Sequence, residues 1–178
     1  LREFIKENES IVFYFCRLML ADKEDTEWVV LETFREFGEF YRRHLRVSKS
    51  DLKIKLFSIA WQLILGVQEE DKLRWLNGRD TRKLSDWEIN LLQLWNKSHE
   101  IDSAMETGLI NRIQLLSLEF KAPLILKDIL HFEDEEILQI LGNRWGVYRH
   151  RLHRGRLDLL EGLKGRASYR ASGPEVNQ

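Results

Sequence analysis

Proline, cysteine and glycine are scarce in this sequence, whose 178 residues include two prolines, one cysteine and ten glycines. Proline breaks helices and glycine weakens them, so few positions would interrupt a helical chain. The β-branched residues are also outnumbered by leucine, glutamate, arginine and lysine, which lose little conformational freedom in a helix. We therefore expect an all-α protein.

Long apolar runs are missing as well. No run approaches the roughly 20 residues that cross a bilayer, and no signal-peptide pattern is present, so we expect a cytoplasmic protein with no membrane span. The single cysteine, Cys16, follows the apolar stretch 11–15. It is expected to be buried without a disulfide partner, as in a reducing compartment. The sequence begins with Leu1, which is expected of a trimmed chain or of part of a longer protein.

Neither sign of charge dominates, because 28 basic side chains stand against 29 acidic ones. Total charge therefore gives no support for a nucleic-acid partner, but the distribution of charge does. Residues 141–156 contain five arginines, two histidines and no acid. A second basic stretch has one acid, Asp51, among Arg42, Arg43, Arg46, Lys49, Lys53 and Lys55. Both stretches are candidate nucleic-acid contacts, although the second also fits an ordinary basic loop and helix end.

The arginine-rich run lies where a helix-turn-helix is predicted. An acidic helix start at 133–136 and apolar residues 137–141 precede Gly142, and the basic helix follows this glycine. The expected contacts with base edges are those of Arg144, Trp145, Tyr148 and Arg149. The expected contacts with phosphates are those of Arg151, Arg154 and Arg156. Five neutralised phosphates would give a slope of about −4 to −5 in log K against log salt. The alternative is a solvated helix end whose arginines complement the helix dipole.

The spacing of apolar residues predicts three helices in the first third of the chain. The first covers residues 2–20, the second runs through Arg43, and the third stops at Gly66. Residues that can cap a helix precede two of them, namely Asp25 or Thr26 before the second and Ser48 or Ser50 before the third.

These patterns predict two small helical domains joined by a partly helical connector, with the helix-turn-helix in the second domain. The expected parts are a first domain 1–66, a connector 67–105, a second domain 106–165 and a disordered tail 166–178. In the connector, a capping box at Ser85 and Glu88 begins a helix that ends near Ser98. Tryptophans of this segment either join the domains or form a docking site for a regulator, and they are Trp75, Trp87 and Trp95.

Three motifs, at 25–34, 116–128 and 136–156, carry a family resemblance. The last of them, which ends in RLHRGR, resembles the C-terminal helix-turn-helix of bacterial sigma factors of the extracytoplasmic-function type. Residues 116–128 are similar to the helix that precedes it in that family. Residues 25–34 are similar to the family helix that docks on the clamp helices of RNA polymerase. The order and spacing of the motifs match the family's two-domain plan.

The resemblance implies a transcription initiation factor that is not an enzyme and needs no cofactor or metal. The implied partners are core RNA polymerase, double-stranded promoter DNA and a regulatory protein such as an anti-sigma factor. The domain 1–66 would correspond to region 2 of the family and the domain 106–165 to region 4. The residues implied to bind polymerase are Asp25, Glu27, Glu32 and Phe34.

Three positions depart from the family pattern. Arg144 stands where the family has a serine that caps the recognition helix, a role that Asn143 can take over. Trp28 replaces an aspartate of the polymerase-docking motif. Residues 59–66 differ from the promoter-melting motif. Three of the residues 68–71 are acidic where the family is basic. An alternative function is therefore a sigma-derived interaction or regulatory module that has lost promoter melting.

Isolated side chains allow other interpretations that the sequence favours less. Trp61 can stack on a base of a melted strand, but its apolar neighbours favour a core position. His150 and His153 can share a metal ion, but no third ligand is near them in the sequence. Glu27 and Glu32 lie on different faces of a helix, which argues against a pair of catalytic carboxylates.

Overall fold

The computed structural model describes the backbone of residues 1–44, 46–68 and 104–171, and the side chains of residues 1–44, 46–67 and 108–162. This part of the chain is helical and contains no strand, so the all-α prediction is confirmed. The helices are α1 (Arg2–Met19), α2 (Lys23–Arg43), α3 (Lys49–Gln68), α4 (Ala104–Gln114), α5 (Leu118–Leu124), α6 (Asp134–Leu141) and α7 (Trp145–Ala171). A π-helical turn, Ile125–Ile129, continues α5.

The start of α2 corrects the predicted cap. The cap is Asp22, whose Oδ1 accepts a hydrogen bond of 2.8 Å from the backbone N–H of Asp25. Thr26 Oγ1 donates to the carbonyl of Asp22 at 2.7 Å. The predicted caps Asp25 and Thr26 therefore lie in the first turn of the helix. The carboxylate of Asp22 takes the capping role, because it accepts from the free backbone N–H of Asp25.

The third helix has the predicted cap but not the predicted end. Ser48 Oγ accepts from the backbone N–H of Asp51 at 3.1 Å and donates to Asp51 Oδ2 at 2.7 Å. The helix continues past Gly66 to Gln68. A glycine costs a helix only about 1 kcal/mol, and the buried neighbours Ile64 and Val67 favour continuation.

Aromatic side chains fill the core between α1, α2 and α3. Phe4 stacks on Phe37 with 5.2 Å between ring centroids, and Phe15 lies 5.4 Å from Phe57. Trp61 is buried among the apolar residues of α3, which confirms its predicted core position. Cys16 is fully buried as predicted, and burial raises the pKa of its thiol.

The first three helices pack directly against the later part of the chain. The rings of Phe57 and Phe132 pack edge to face with 4.8 Å between their centroids, and Lys53 Nζ lies 4.2 Å from the centroid of the Phe132 ring. Ser50 Oγ donates to Glu136 Oε1 at 3.3 Å. The division into domains stays a prediction, and most of the connector 67–105 lies outside the described residues. The helix α7 extends to Ala171, into the predicted tail.

A buried lysine joins the end of α1 to α4 and α5. Lys121 Nζ donates to the carbonyl of Met19 at 3.1 Å and to that of Gln114 at 3.3 Å. Gln114 Nε2 in turn donates to the carbonyls of Arg17 and Leu20, each at 3.3 Å. The last carbonyls of a helix have no partner within it, so residues of the second half of the chain supply the missing donors. The Lys121 charge also lies at the negative end of the α1 dipole. Burial lowers the pKa of Lys121.

Replacing this lysine tests the junction. Lys121→Met keeps most of the apolar side chain but removes the donor from the buried carbonyl of Met19 and the partly buried carbonyl of Gln114, so we expect the free energy of unfolding at pH 7 to fall by about 1–3 kcal/mol. Chemical denaturation measures this change. Lys23→Met is the control, because Lys23 is exposed and forms a surface ion pair with Glu27; it should change stability little. Equal stabilities of the two variants would contradict the role of Lys121.

The pH dependence of the same pair of proteins gives a second test. The pKa of Lys121 is lower in the folded than in the unfolded state, so the unfolded state binds more protons between the two pKa values. The stability contributed by Lys121 therefore rises with pH across that window. We expect the stability difference between the wild type and Lys121→Met to grow as the pH rises toward about 10.4. A difference independent of pH would show that the lysine is not desolvated.

Candidate nucleic-acid interface

A short turn joins α6 to the basic helix α7. The side chain of Glu136 accepts from the backbone N–H of Glu133 at 3.0 Å, in a capping box that begins α6. Gly142 ends this helix with φ of 64°, a left-handed conformation that favours glycine. The backbone N–H of Asn143 donates to the carbonyl of Leu138 at 3.3 Å. The connection 142–144 has the length of the turn in helix-turn-helix motifs.

Tyr148 holds α7 in place from inside the protein. Its side chain is only 1% exposed. Its hydroxyl donates to Asp134 Oδ1 at 2.8 Å, and Lys127 Nζ lies 2.8 Å from the same carboxylate. The hydrogen bonds from Lys127 and Tyr148 lower the pKa of Asp134, and burial raises the pKa of Tyr148. The prediction that Tyr148 lies near base edges is wrong. The helical spacing of Tyr148 and Leu152, both buried, is the signal in the sequence that places it on the inner face.

The three arginines predicted to bind phosphates are all paired with carboxylates. Their partners are Glu119 for Arg151 at 3.1 Å, Asp158 for Arg154 at 3.0 Å and Asp128 for Arg156, with two bonds of 2.6 and 2.8 Å. The hydrogen bond with Asp128 raises the pKa of Arg156. The absence of acids from 141–156 therefore did not leave these arginines unpaired. Glu119 and Asp128 come from α5 and the π-helical turn, and Asp158 follows the run directly.

Asn143 contacts the second turn of α7. Its Oδ1 accepts a hydrogen bond of 3.1 Å from Arg151 Nη1. The same guanidinium group contacts Glu119 through Nη2. Asn143, which was expected to cap α7 in place of Arg144, thus fixes the side chain of Arg151. This hydrogen bond joins the connection 142–144 to the second turn of α7.

An exposed basic surface remains at the beginning of α7. The side chains of Arg144 and Arg149 are exposed, and neither has an ion-pair partner within the part of the chain that the structure describes. Trp145 and Val147 are 44% and 42% exposed. We call this surface the α7 basic face. It consists of Arg144, which precedes the helix, of Trp145, Arg149 and His153, which follow one another at intervals of four residues on one side of α7, and of His150 beside them. It contains no acid.

The second basic stretch is partly occupied by contacts within the protein. Lys49 Nζ lies 3.2 Å from Glu7 Oε2. Lys53 covers the Phe132 ring, and Lys55 Nζ lies 5.3 Å from the centroid of Phe40. The exposed cations of this stretch that do not make these contacts are Arg42, Arg43 and Arg46. Its three lysines thus make contacts within the protein, while its three arginines stay exposed.

The residues predicted to bind polymerase divide into buried and partly exposed ones. Phe34 is 2% exposed and belongs to the core, so it cannot make the predicted surface contact, and Asp25 is buried in the first turn of α2. Glu27 and Glu32 are partly exposed. Glu27 lies 3.7 Å from Lys23 Nζ, and Glu32 forms an ion pair with Arg35. A docking surface on α2 therefore reduces to Glu27 and Glu32.

The described residues offer no candidate for a metal site or for a membrane span. Within the ranges 1–44, 46–67 and 108–162, no three His, Cys, Asp or Glu side chains are grouped so that they could hold a metal ion. Among the helices described, none has both the length and the apolar character needed to cross a membrane.

Close packing of α7 on α5 depends on a glycine. A Cβ atom at Gly155 would lie 2.7 Å from the backbone oxygen of Phe120. This distance is shorter than van der Waals contact, and a backbone oxygen cannot move aside as a flexible side chain can. Gly155 therefore sets how closely α7 approaches α5.

An alanine at this position should push the two helices apart. We expect Gly155→Ala to lower the free energy of unfolding by about 1–3 kcal/mol, as overpacking does. Gly38→Ala is the matched control, since a Cβ at Gly38 in α2 would have no neighbour within 4 Å. It should raise stability by up to about 1 kcal/mol through helix propensity. Chemical denaturation compares the two, and the same effect from both would disprove the close approach.

Neither a family model nor a curated protein matches the chain. The resemblance to sigma factors therefore stays a prediction that rests on the motifs at 25–34, 116–128 and 136–156.

Proposed function

We propose that the protein is a sigma-like transcription initiation factor of the bacterial cytoplasm that binds duplex promoter DNA through the α7 basic face. Core RNA polymerase would bind the partly exposed carboxylates Glu27 and Glu32 of α2. The observation that carries the proposal is the exposed, acid-free basic surface at the start of a helix that follows a short turn. The protein would act by binding alone, without a cofactor.

The chemistry of this surface suits a nucleic acid. Backbone N–H groups at the start of α7 and the positive end of its dipole favour anions such as phosphates. Arg149 lies one turn into the helix and has an exposed guanidinium group, which can bind a guanine edge through two hydrogen bonds. Arg144 precedes the helix and can contact the backbone of the same groove.

The ion pairs of α7 change the expected dependence of binding on salt. Arg151, Arg154 and Arg156 can bind phosphates only if they give up their carboxylate partners or share them. If they keep those partners, the remaining arginines, Arg144 and Arg149, give a slope of about −2 in log K against log salt. A slope near −4 to −5 would instead show that the ion pairs open when DNA binds.

Substitution of Arg149 tests this interface. Arg149→Ala should weaken binding to a duplex and reduce the magnitude of the salt slope by about 0.9 if the guanidinium neutralises one phosphate. If the group reads a guanine edge, affinity for the preferred sequence should fall by about 1–3 kcal/mol with little change in slope. Fluorescence anisotropy over a salt series measures both quantities.

Arg35→Ala is the control for this measurement, since Arg35 lies on α2 and forms an ion pair with Glu32. It should leave DNA binding unchanged. An Arg149→Ala protein that binds DNA as the wild type does, with the same slope and sequence preference, would remove α7 from the interface.

A second candidate function is a sigma-derived interaction module that does not melt promoters. Trp61 is 6% exposed within the core, so it cannot stack on a flipped base unless α3 moves. The acidic residues 68–71 that follow in the sequence would also repel a single strand. Such a protein would occupy polymerase or bind another regulator, for example one of the anti-sigma type.

Affinity capture from the native cell extract, followed by transcription, distinguishes these functions. The initiation factor predicts that the full chain retains core polymerase and gives a run-off transcript from a promoter, whereas the interaction module predicts capture of polymerase or of another regulator without a transcript. The double variant Glu27→Lys/Glu32→Lys should lose polymerase and keep DNA binding. Glu3→Lys, an exposed change on α1, should lose neither. Capture of polymerase or of a regulator without an open complex on any promoter would support the interaction module, and capture of neither would contradict both functions.

A further inference from the structure

An apolar side chain is exposed within the α7 basic face. Trp145 lies in the first turn of the helix and is 44% exposed. Its neighbours on this face are the arginines Arg144 and Arg149 and two histidines. Leaving a tryptophan in water loses the favourable free energy that its burial would contribute. A surface with this composition fits a partner that presents both negative charge and an apolar group.

The ring of Trp145 packs against the buried side chain of Tyr148. Its ring lies 5.8 Å from the ring of Tyr148, at an interplanar angle of 51°. Tyr148 is itself fixed by its hydrogen bond to Asp134, which also pairs with Lys127. The contact with Tyr148 therefore restrains one side of the Trp145 ring, while the rest of the ring is exposed to solvent. A preorganised aromatic ring loses little conformational entropy when it binds.

The major groove of duplex DNA offers one kind of apolar group, the C5-methyl of thymine. Resting on the proposed binding of duplex DNA, we infer that Trp145 forms a contact for a thymine methyl group and that Arg149, on the same side of α7, binds a nearby guanine. The arginine lies four residues beyond the tryptophan, or about 6 Å along the helix axis. Base pairs are about 3.4 Å apart, so the thymine and the guanine should lie within about two base pairs of each other.

Replacing thymine by deoxyuridine tests this contact, because only the methyl group is removed. The preferred sequence is first selected from a library of random duplexes with the full chain. Each thymine of that sequence is then changed to deoxyuridine in turn. We expect one position at which the wild type loses about fourfold in affinity, as for a buried CH₂-sized group. Trp145→Ala should bind the thymine and deoxyuridine duplexes equally.

Two further variants make the result specific. Leu157→Ala removes another partly exposed apolar side chain of α7, about three turns further along, and should keep the difference between thymine and deoxyuridine. Val147→Ala removes an exposed apolar side chain on the other side of the helix from Trp145, and it should also keep the difference. Because Trp145 contacts Tyr148, thermal unfolding is measured for each variant. If Trp145→Ala does not fold, Trp145→Gln, which keeps a long side chain but ends it in a polar group, decides the outcome.

Each outcome has a defined meaning. If no duplex is selected, the proposed function fails, and this inference fails with it. If a duplex is bound but no deoxyuridine weakens binding, only the thymine contact is disproved. If Trp145→Ala weakens binding to both duplexes by the same factor, so that the fourfold difference between them persists, the tryptophan packs on the sugar and phosphate backbone, and the inference is overturned. It is also overturned if Trp145→Ala leaves DNA binding unchanged and abolishes capture of a protein.

Discussion

The amino group of Lys121 is the contact on which the arrangement of the described helices depends. It lies at the end of α1, where helix carbonyls lack partners, and reaches them from a part of the chain 102 residues away. The bonds from Gln114 complete the same set of acceptors. Because the junction is buried and polar, its donors and acceptors fit in one arrangement only. The end of α1 is therefore held against α4 and α5.

Folding divides the arginines at 144–156 into two classes. Arg144 and Arg149 stay exposed at the start of the helix. Arg151 and Arg156 bind carboxylates of α5 and of the π-helical turn, and Arg154 binds Asp158 of α7 itself. Surface ion pairs of this kind contribute little stability individually. Their larger effect is on the charge that residues 144–156 present, because only Arg144 and Arg149 are left without a carboxylate in the described part of the chain.

Local features of the structure were predictable from the sequence, while contacts between distant segments were not. The Ser48 cap and the glycine turn at Gly142 depend on neighbouring residues, and both were predicted correctly. The sequence does not indicate the role of Lys121, because one of the two carbonyls that it binds, that of Met19, belongs to α1 and lies 102 residues earlier. The role of Tyr148 was missed although its spacing to Leu152 marks an inner face, since the basic residues around it suggested a surface position. A one-dimensional pattern shows which side chains can be buried but not which partners they meet.

The junction at Lys121 also bears on how the chain is made. The carbonyl of Met19 leaves the ribosome 102 residues before the lysine that binds it. At synthesis rates of about 5–20 residues per second, that interval lasts roughly 5 to 20 s. During this time α1, α2 and α3 can already form their aromatic core, because its residues are all present. The end of α1 must meanwhile be satisfied by water. Completion of this helix is thus a late event in the synthesis of the protein, set by the order of the residues along the chain.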